Sequence, residues 1–221
     1  MEGAVAEPET VCAVRRDDAG YPENLRHICD APECLFVKGS VLPRDRVAVA
    51  VVGTRSPTPV GKVIAFEIAR DLTGAGATVV SGLALGIDTQ AHLGALAAGG
   101  RTIACLGTGV DVVYPRRNAS LMRDIAARGS LVSEYPAGTA PLGWHFPKRN
   151  RIISGISLGV VVVEAGEKSG ALNTAGWALG QGRPVMAVPG SPRSRTSAGT
   201  NRLIQEGAYL VTSAEDILSS A

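Results

Sequence analysis

From residue 47 onward the chain alternates short β-branched apolar runs with longer stretches whose apolar residues recur every three or four positions. The runs predict strands at Val47–Val52, Thr78–Val80, Thr102–Leu106, Leu131–Val132, Val160–Val163, Val185–Val188 and Tyr209–Val211. The periodic stretches predict helices at Val60–Thr73, Asp88–Ala98, Ala119–Ala127, Arg149–Gly155, Ala171–Gly180, Thr200–Gln205 and Ala214–Leu218. The strands are apolar on both faces, which requires cover on each side. That pattern predicts an α/β fold with a mostly parallel, doubly wound sheet and helices on both faces. Before residue 47 the rhythm is absent. Residues 1–20 read as a tail or a short edge strand, and Tyr21–Leu42 is punctuated by prolines around one short helical pattern, Glu23–Cys29. With no linker or low-complexity tract, residues 21–218 read as one domain.

Composition narrows the function. Hydrophobic residues make up 45 % of the 221, enough for a substantial core. The net charge is +2, from 22 basic and 20 acidic side chains, so any polyanion must be gripped by a local patch. Cys12, Cys29, Cys34 and Cys105 lack the paired spacing of a zinc site or a disulfide framework, and Cys105 sits in a core run. No metal is expected. The first residues lack a signal-peptide pattern and no apolar run reaches membrane-spanning length, so a cytosolic protein with no membrane partner is expected.

In doubly wound sheets ligands bind beyond the carboxyl ends of the strands, so the turns there are the place to seek chemistry. The densest segment is Phe146–Ser157 (FPKRNRIISGIS), where Lys148, Arg149 and Arg151 surround Asn150 and lead into the core; it reads as a positive rim for phosphates rather than a solvated helix face. Gly53-Thr54-Arg55-Ser56 offers backbone, hydroxyls and a guanidinium, followed by a helix whose amino end is expected to face the same ligand. Ser81 and Gly82 open a tight turn that Asp88 is expected to close as a helix cap, with His92 one turn on as a structural histidine. Ser169, Gly170 and Thr174 place hydroxyls at another helix start. Arg193 and Arg195 add charge to a later loop, and Asn201 is suited to a base edge or a cap. Gly107-Thr108-Gly109 lacks the third glycine of a dinucleotide fingerprint, and Gly61-Lys62 lacks the flanking residues of a phosphate-binding loop, so no nucleotide cofactor is expected. Tyr114, Trp144 and Phe146 fall near these turns, where bases can stack.

Taken in order, these motifs resemble the DprA/Smf family of bacterial DNA-processing proteins. The resemblance runs from Tyr21-Pro22 through VGTR at 52–55, SGLALGID at 81–88, GTGVDVVYP at 107–115 and FPKRNRIISGIS at 146–157, to SGALNTA at 169–175, AVPG at 187–190 and GTNRLIQEGA at 199–208. It implies an extended Rossmann-like domain that binds single-stranded DNA, protects incoming DNA in natural transformation, helps load the RecA recombinase and forms a homodimer, with no cofactor and no catalytic residues. Carried over by motif, the DNA-binding candidates are Arg55, Lys148, Arg149, Asn150 and Arg151, then Ser169, Gly170 and Thr174; Ser81 and Gly82 join them from the turn reading. The alternative is a nucleotide-processing enzyme like the LOG-type phosphoribohydrolases, although neither EAGEKSGALNTA nor PGSPRSRTSAGT carries that group's double glycine and catalytic glutamate.

Overall fold

The computed structural model describes residues 10–220. Its strands are β1 (Val11–Arg15), β2 (Cys34–Gly39), β3 (Ala48–Val52), β4 (Thr78–Ser81), β5 (Thr102–Cys105), β6 (Ser130–Ser133), β7 (Gly159–Val162), β8 (Val185–Ala187) and β9 (Tyr209–Leu210). The helices are α1 (Glu23–Arg26), α2 (Pro59–Gly74), α3 (Ile87–Ala97), α4 (Ala119–Arg128), α5 (His145–Ile156), α6 (Gly170–Gly180), α7 (Ala198–Gln205) and α8 (Ala214–Ser220). All nine strands join one sheet in the order β1-β2-β6-β5-β4-β3-β7-β8-β9. From β6 to β9 the pairing is parallel, while β1 and β2 are antiparallel additions on one side. The expected edge strand in the first twenty residues therefore exists at β1; residues 1–9 lie outside the described residues. β2 was not expected, and it covers the flank of β6.

Period-two geometry explains the doubly apolar strands. In β3, Ala48, Ala50 and Val52 enter one core with Ile152, Ile153 and Ile156 of α5. Val49 and Val51 enter the opposite core with Ile68 and Leu72 of α2 and Ala91 and Ala95 of α3. A third cluster joins Leu121, Met122 and Ile125 of α4 to Ala104 and Leu131 of the sheet. The α5 isoleucines are each 1 % exposed, and burying each contributes about 1.5–3 kcal/mol.

Strands β3 to β6 progress to one side of the sheet. The chain then crosses back through α5 to place β7 on the other side of β3. The turns after β3 and β7 thus diverge, leaving a crevice at the topological switch point.

Candidate nucleic-acid interface

A cleft of about 730 Å³ occupies that crevice. Its walls come from the turn after β3 (Gly53, Thr54, Arg55), the loop and helix start after β7 (Lys168, Ser169, Gly170) and the first turns of α5. Thr54 donates its backbone N–H to the Glu164 carbonyl across the switch point at 2.7 Å, which fixes the two turns relative to one another. An adjoining recess of about 70 Å³ shares Arg55, Tyr114, Phe146 and Arg149 and extends to Gly82.

α5 begins four residues before the expected Arg149. Pro147 is no obstacle in the first turn, because N–H groups there have no helical acceptor. Starting at His145 orients the whole cationic segment. Arg149, Ile152, Ile153 and Ile156 follow the i, i+3, i+4, i+7 rule and point at the sheet together. Arg149 is 4 % exposed and donates to the Gly82 carbonyl at 2.8 Å, to the Cys105 carbonyl and to Asn150 Oδ1 at 3.2 Å. It ties α5 to the turn after β4 and to the end of β5 while forming part of the cleft floor. Asn150 donates to Asn173 Oδ1 at 3.0 Å and holds α5 against α6. Arg151 faces away from the cleft, in ion pairs with Glu134 at 2.7 Å and Asp30 at 3.1 Å. Lys148 is the half-exposed member, 3.4 Å from Glu134 and 5.9 Å from the Tyr135 ring centre. The segment that reads as a positive rim is therefore mostly a buried set of struts.

The remaining candidates divide in the same way. Ser169 and Gly170 line the cleft, and so does the buried Thr174. Ser169 also caps α6, accepting the Ala171 N–H at 3.3 Å. Ser81 lies below the cleft and donates to the Val51 carbonyl at 2.7 Å. Gly82 is needed because a Cβ there would come within 2.6 Å of the Arg149 guanidinium and 2.8 Å of Asp88. Asp88 does not cap α3, whose N-cap is Gly86; its carboxylate instead accepts the N–H groups of Gly82 and Ala84. Burial raises the Asp88 pKa against the opposing pull of Arg149. Burial also pushes His92 down to about 3, helped by Arg149. The Thr102 hydroxyl donates to the Val79 carbonyl, so it accepts from His92 Nδ1–H. His92 is a neutral strut. Asn201 clasps both the N–H and the carbonyl of Gly190, so its amide is used within the fold.

The amino end of α2, expected to face a ligand, is engaged by a carboxylate of the chain itself. Glu164, two residues past β7, accepts the Thr58 N–H at 2.9 Å and the Thr58 hydroxyl at 2.6 Å. Gly61 makes room, since a Cβ there would overlap the Glu164 carboxyl. The chain's own carboxylate fills the anion seat that the helix terminus creates.

Of the cations lining the cleft, Arg55 and Lys168 remain open. Arg55 is exposed, 5.8 Å from the Phe146 ring centre, and has no carboxylate within ion-pair distance among the described residues. Lys168 is exposed on the opposite wall, likewise without an ion-pair partner among the described residues. Lys168 was missed as a candidate; its place just past the strand beside the switch point is the signal that identifies it. Beside Arg55, Tyr114 and Phe146 line the cleft with ring centres 5.4 Å apart; Trp144, 62 % exposed and edge-on to His145 and Tyr135, is not among the residues lining it. Cations and open aromatic faces on one crevice suit a phosphate backbone with unstacked bases. Among the described residues no cluster of His, Cys, Asp and Glu could hold a metal ion, and no helix is long and apolar enough to cross a membrane.

Known proteins share this fold. The DNA processing protein DprA of Bacillus subtilis is 47 % identical over 199 residues, covering 89 % of this chain and 67 % of that protein. The solved structure of Streptococcus pneumoniae DprA superposes with a TM-score of 0.89 at 44 % identity, covering 96 % of this chain and 75 % of that one. Helicobacter pylori DprA, solved to describe the single-stranded DNA binding mode of that protein, superposes with a TM-score of 0.85 at 29 % identity and covers 97 % of both chains. Residues 13–221 match the sequence profile of DNA recombination-mediator protein A. The chain belongs to that family, whose members carry the names DprA and Smf.

Proposed function

We propose that the cleft binds single-stranded DNA without turnover, and that the chain delivers the strand to a RecA-type recombinase in recombination and natural transformation. The observation that carries this reading is Arg55, an unpaired guanidinium held beside the Phe146 ring at the switch point. Phosphates lie against Arg55 and Lys168, and bases stack on Phe146, Tyr114 or Trp144, so binding tolerates any sequence. The related H. pylori protein, with its single-stranded DNA binding mode, supports the ligand class. The family description supports the recombination role. A homodimer through the far edge of the sheet fits the same reading: Tyr209 and Leu210 of β9 are each 55 % exposed. Light scattering of the chain in solution tests that stoichiometry.

The binding test is fluorescence anisotropy of labelled oligo-dT at two salt concentrations, against a duplex of equal length. Tight, salt-weakened binding to the single strand is expected. Arg55→Ala removes one phosphate contact, lowering the salt slope by about 0.7 and the affinity about fivefold near 0.1 M salt. Equal affinity of Arg55→Ala and the parent would overturn the assignment. For the hydrolase alternative, neither Glu164, held by Thr58, nor Asp88, held by two backbone N–H groups, is free to act as general base. Release of free base from a nucleoside monophosphate would revive it.

A further inference from the structure

The loop between β8 and α7 carries two arginines that the cleft does not use. Arg193 and Arg195 are both exposed, and neither has an ion-pair partner among the described residues. Glu206 pairs with Arg202 at 2.8 Å rather than with this loop. The loop is braced at both ends. Asn201 clasps Gly190, and Gly199 donates its N–H to the Ala165 carbonyl at 2.8 Å. Within it, Ser191 accepts the Arg193 N–H, and the Ser194 and Thr196 hydroxyls bond at 2.9 Å. The brace sets the loop against the cleft: the Arg195 carbonyl lies 3.2 Å from where a Cβ on Gly166, a cleft residue, would stand. The parallel order β3-β7-β8 then brings Arg55, Lys168 and this loop to successive positions on one edge of the sheet, with about 4.8 Å between neighbouring strands.

We propose that Arg193 and Arg195 form a second phosphate grip, so that a single strand held in the cleft at Arg55 and Lys168 continues across the end of β8 and over this loop. The inference rests on the single-strand reading of the cleft and adds a direction to it: the strand runs across the sheet, perpendicular to the β-strands. Two extra contacts add about 1.4 to the salt slope, equivalent to about 25-fold in affinity near 0.1 M salt.

The test is a ladder of oligo-dT lengths bound to the parent, to the double variant Arg193→Ala/Arg195→Ala and to Arg55→Ala, each at several salt concentrations. The double variant is expected to match the parent on the shortest strands that bind, then fall about 25-fold behind on long strands with a slope lower by about 1.4, while Arg193→Lys/Arg195→Lys keeps both. If the double variant equals the parent at every length while Arg55→Ala weakens all of them, the second grip is overturned and the cleft reading stands. If Arg55→Ala also binds like the parent, or the parent does not bind, the second grip falls together with the cleft reading.

Discussion

Replacing Arg149 by Met separates a structural cation from a ligand-binding one. Methionine keeps most of the length of the side chain and removes every donor. Three acceptors lose their partner at once: the carbonyls of Gly82 and Cys105 and the amide oxygen of Asn150. Asp88, buried beside the guanidinium, loses the cation that opposes its desolvation. Breaking a buried charge pair from one side costs about 3–5 kcal/mol. For a chain of 221 residues the unfolding entropy is about 0.46 kcal/mol/K, so a loss of about 4 kcal/mol lowers Tm by about 9 °C. Scanning calorimetry reads the shift directly. Adding Asp88→Asn should recover about half of it, because the uncompensated carboxylate is then gone. An Arg149→Met protein that melts within about 2 °C of the parent yet has lost its DNA affinity would refute the reasoning and make Arg149 a ligand contact instead.

Three further outcomes are expected. The pKa of His92 falls from 6.5 to about 3 on folding, so between those values the unfolded chain binds a proton that the folded chain does not. The resulting stability is complete above pH 6.5 and decays as pH falls; by pH 5 about 2 kcal/mol is lost, and His92→Gln should flatten that part of a pH series of urea melts. Gly61→Ala should push Glu164 off Thr58 and destabilise the protein by about 1–3 kcal/mol, visible as a lower denaturation midpoint; an unchanged midpoint would show that the carboxylate has another resting place. Trp144→Ala should cost about 0.5–1.5 kcal/mol of stability through its edge-on contacts with His145 and Tyr135 and weaken oligo-dT binding by about 1–3 kcal/mol where a base stacks on it.

The parallel sheet was legible because its strands are buried on both faces, and that burial writes itself as uninterrupted runs such as AVAVV in β3. β2 escaped because CLFVKG lies among prolines and cysteines, and its alternation becomes clear only once β6 is known to lie beside it. The site was legible as a place, since the turns after β3 and β7 follow from strand order. Its chemistry was less so. Charge in the Lys148–Arg151 segment is plain in the sequence, but the direction in which each side chain points depends on where the helix starts. Extending the phase of Ile152, Ile153 and Ile156 back by one turn lands on Arg149, and that was the available signal for a buried strut. The ion pairs of Arg151 with Asp30 and Glu134 span distant segments and leave no local mark.

The carboxylate of Glu164 bears on competition from free nucleotides. A Rossmann-like sheet would ordinarily offer each of them a helix terminus to settle on. Here that terminus is already occupied by a group covalently tethered to the next strand, which no dissolved monophosphate or triphosphate can outnumber. With the α2 terminus filled, the cleft presents the side chains of Arg55 and Lys168 and the start of α6, separate contacts that a long strand can use together and a monomer only in part.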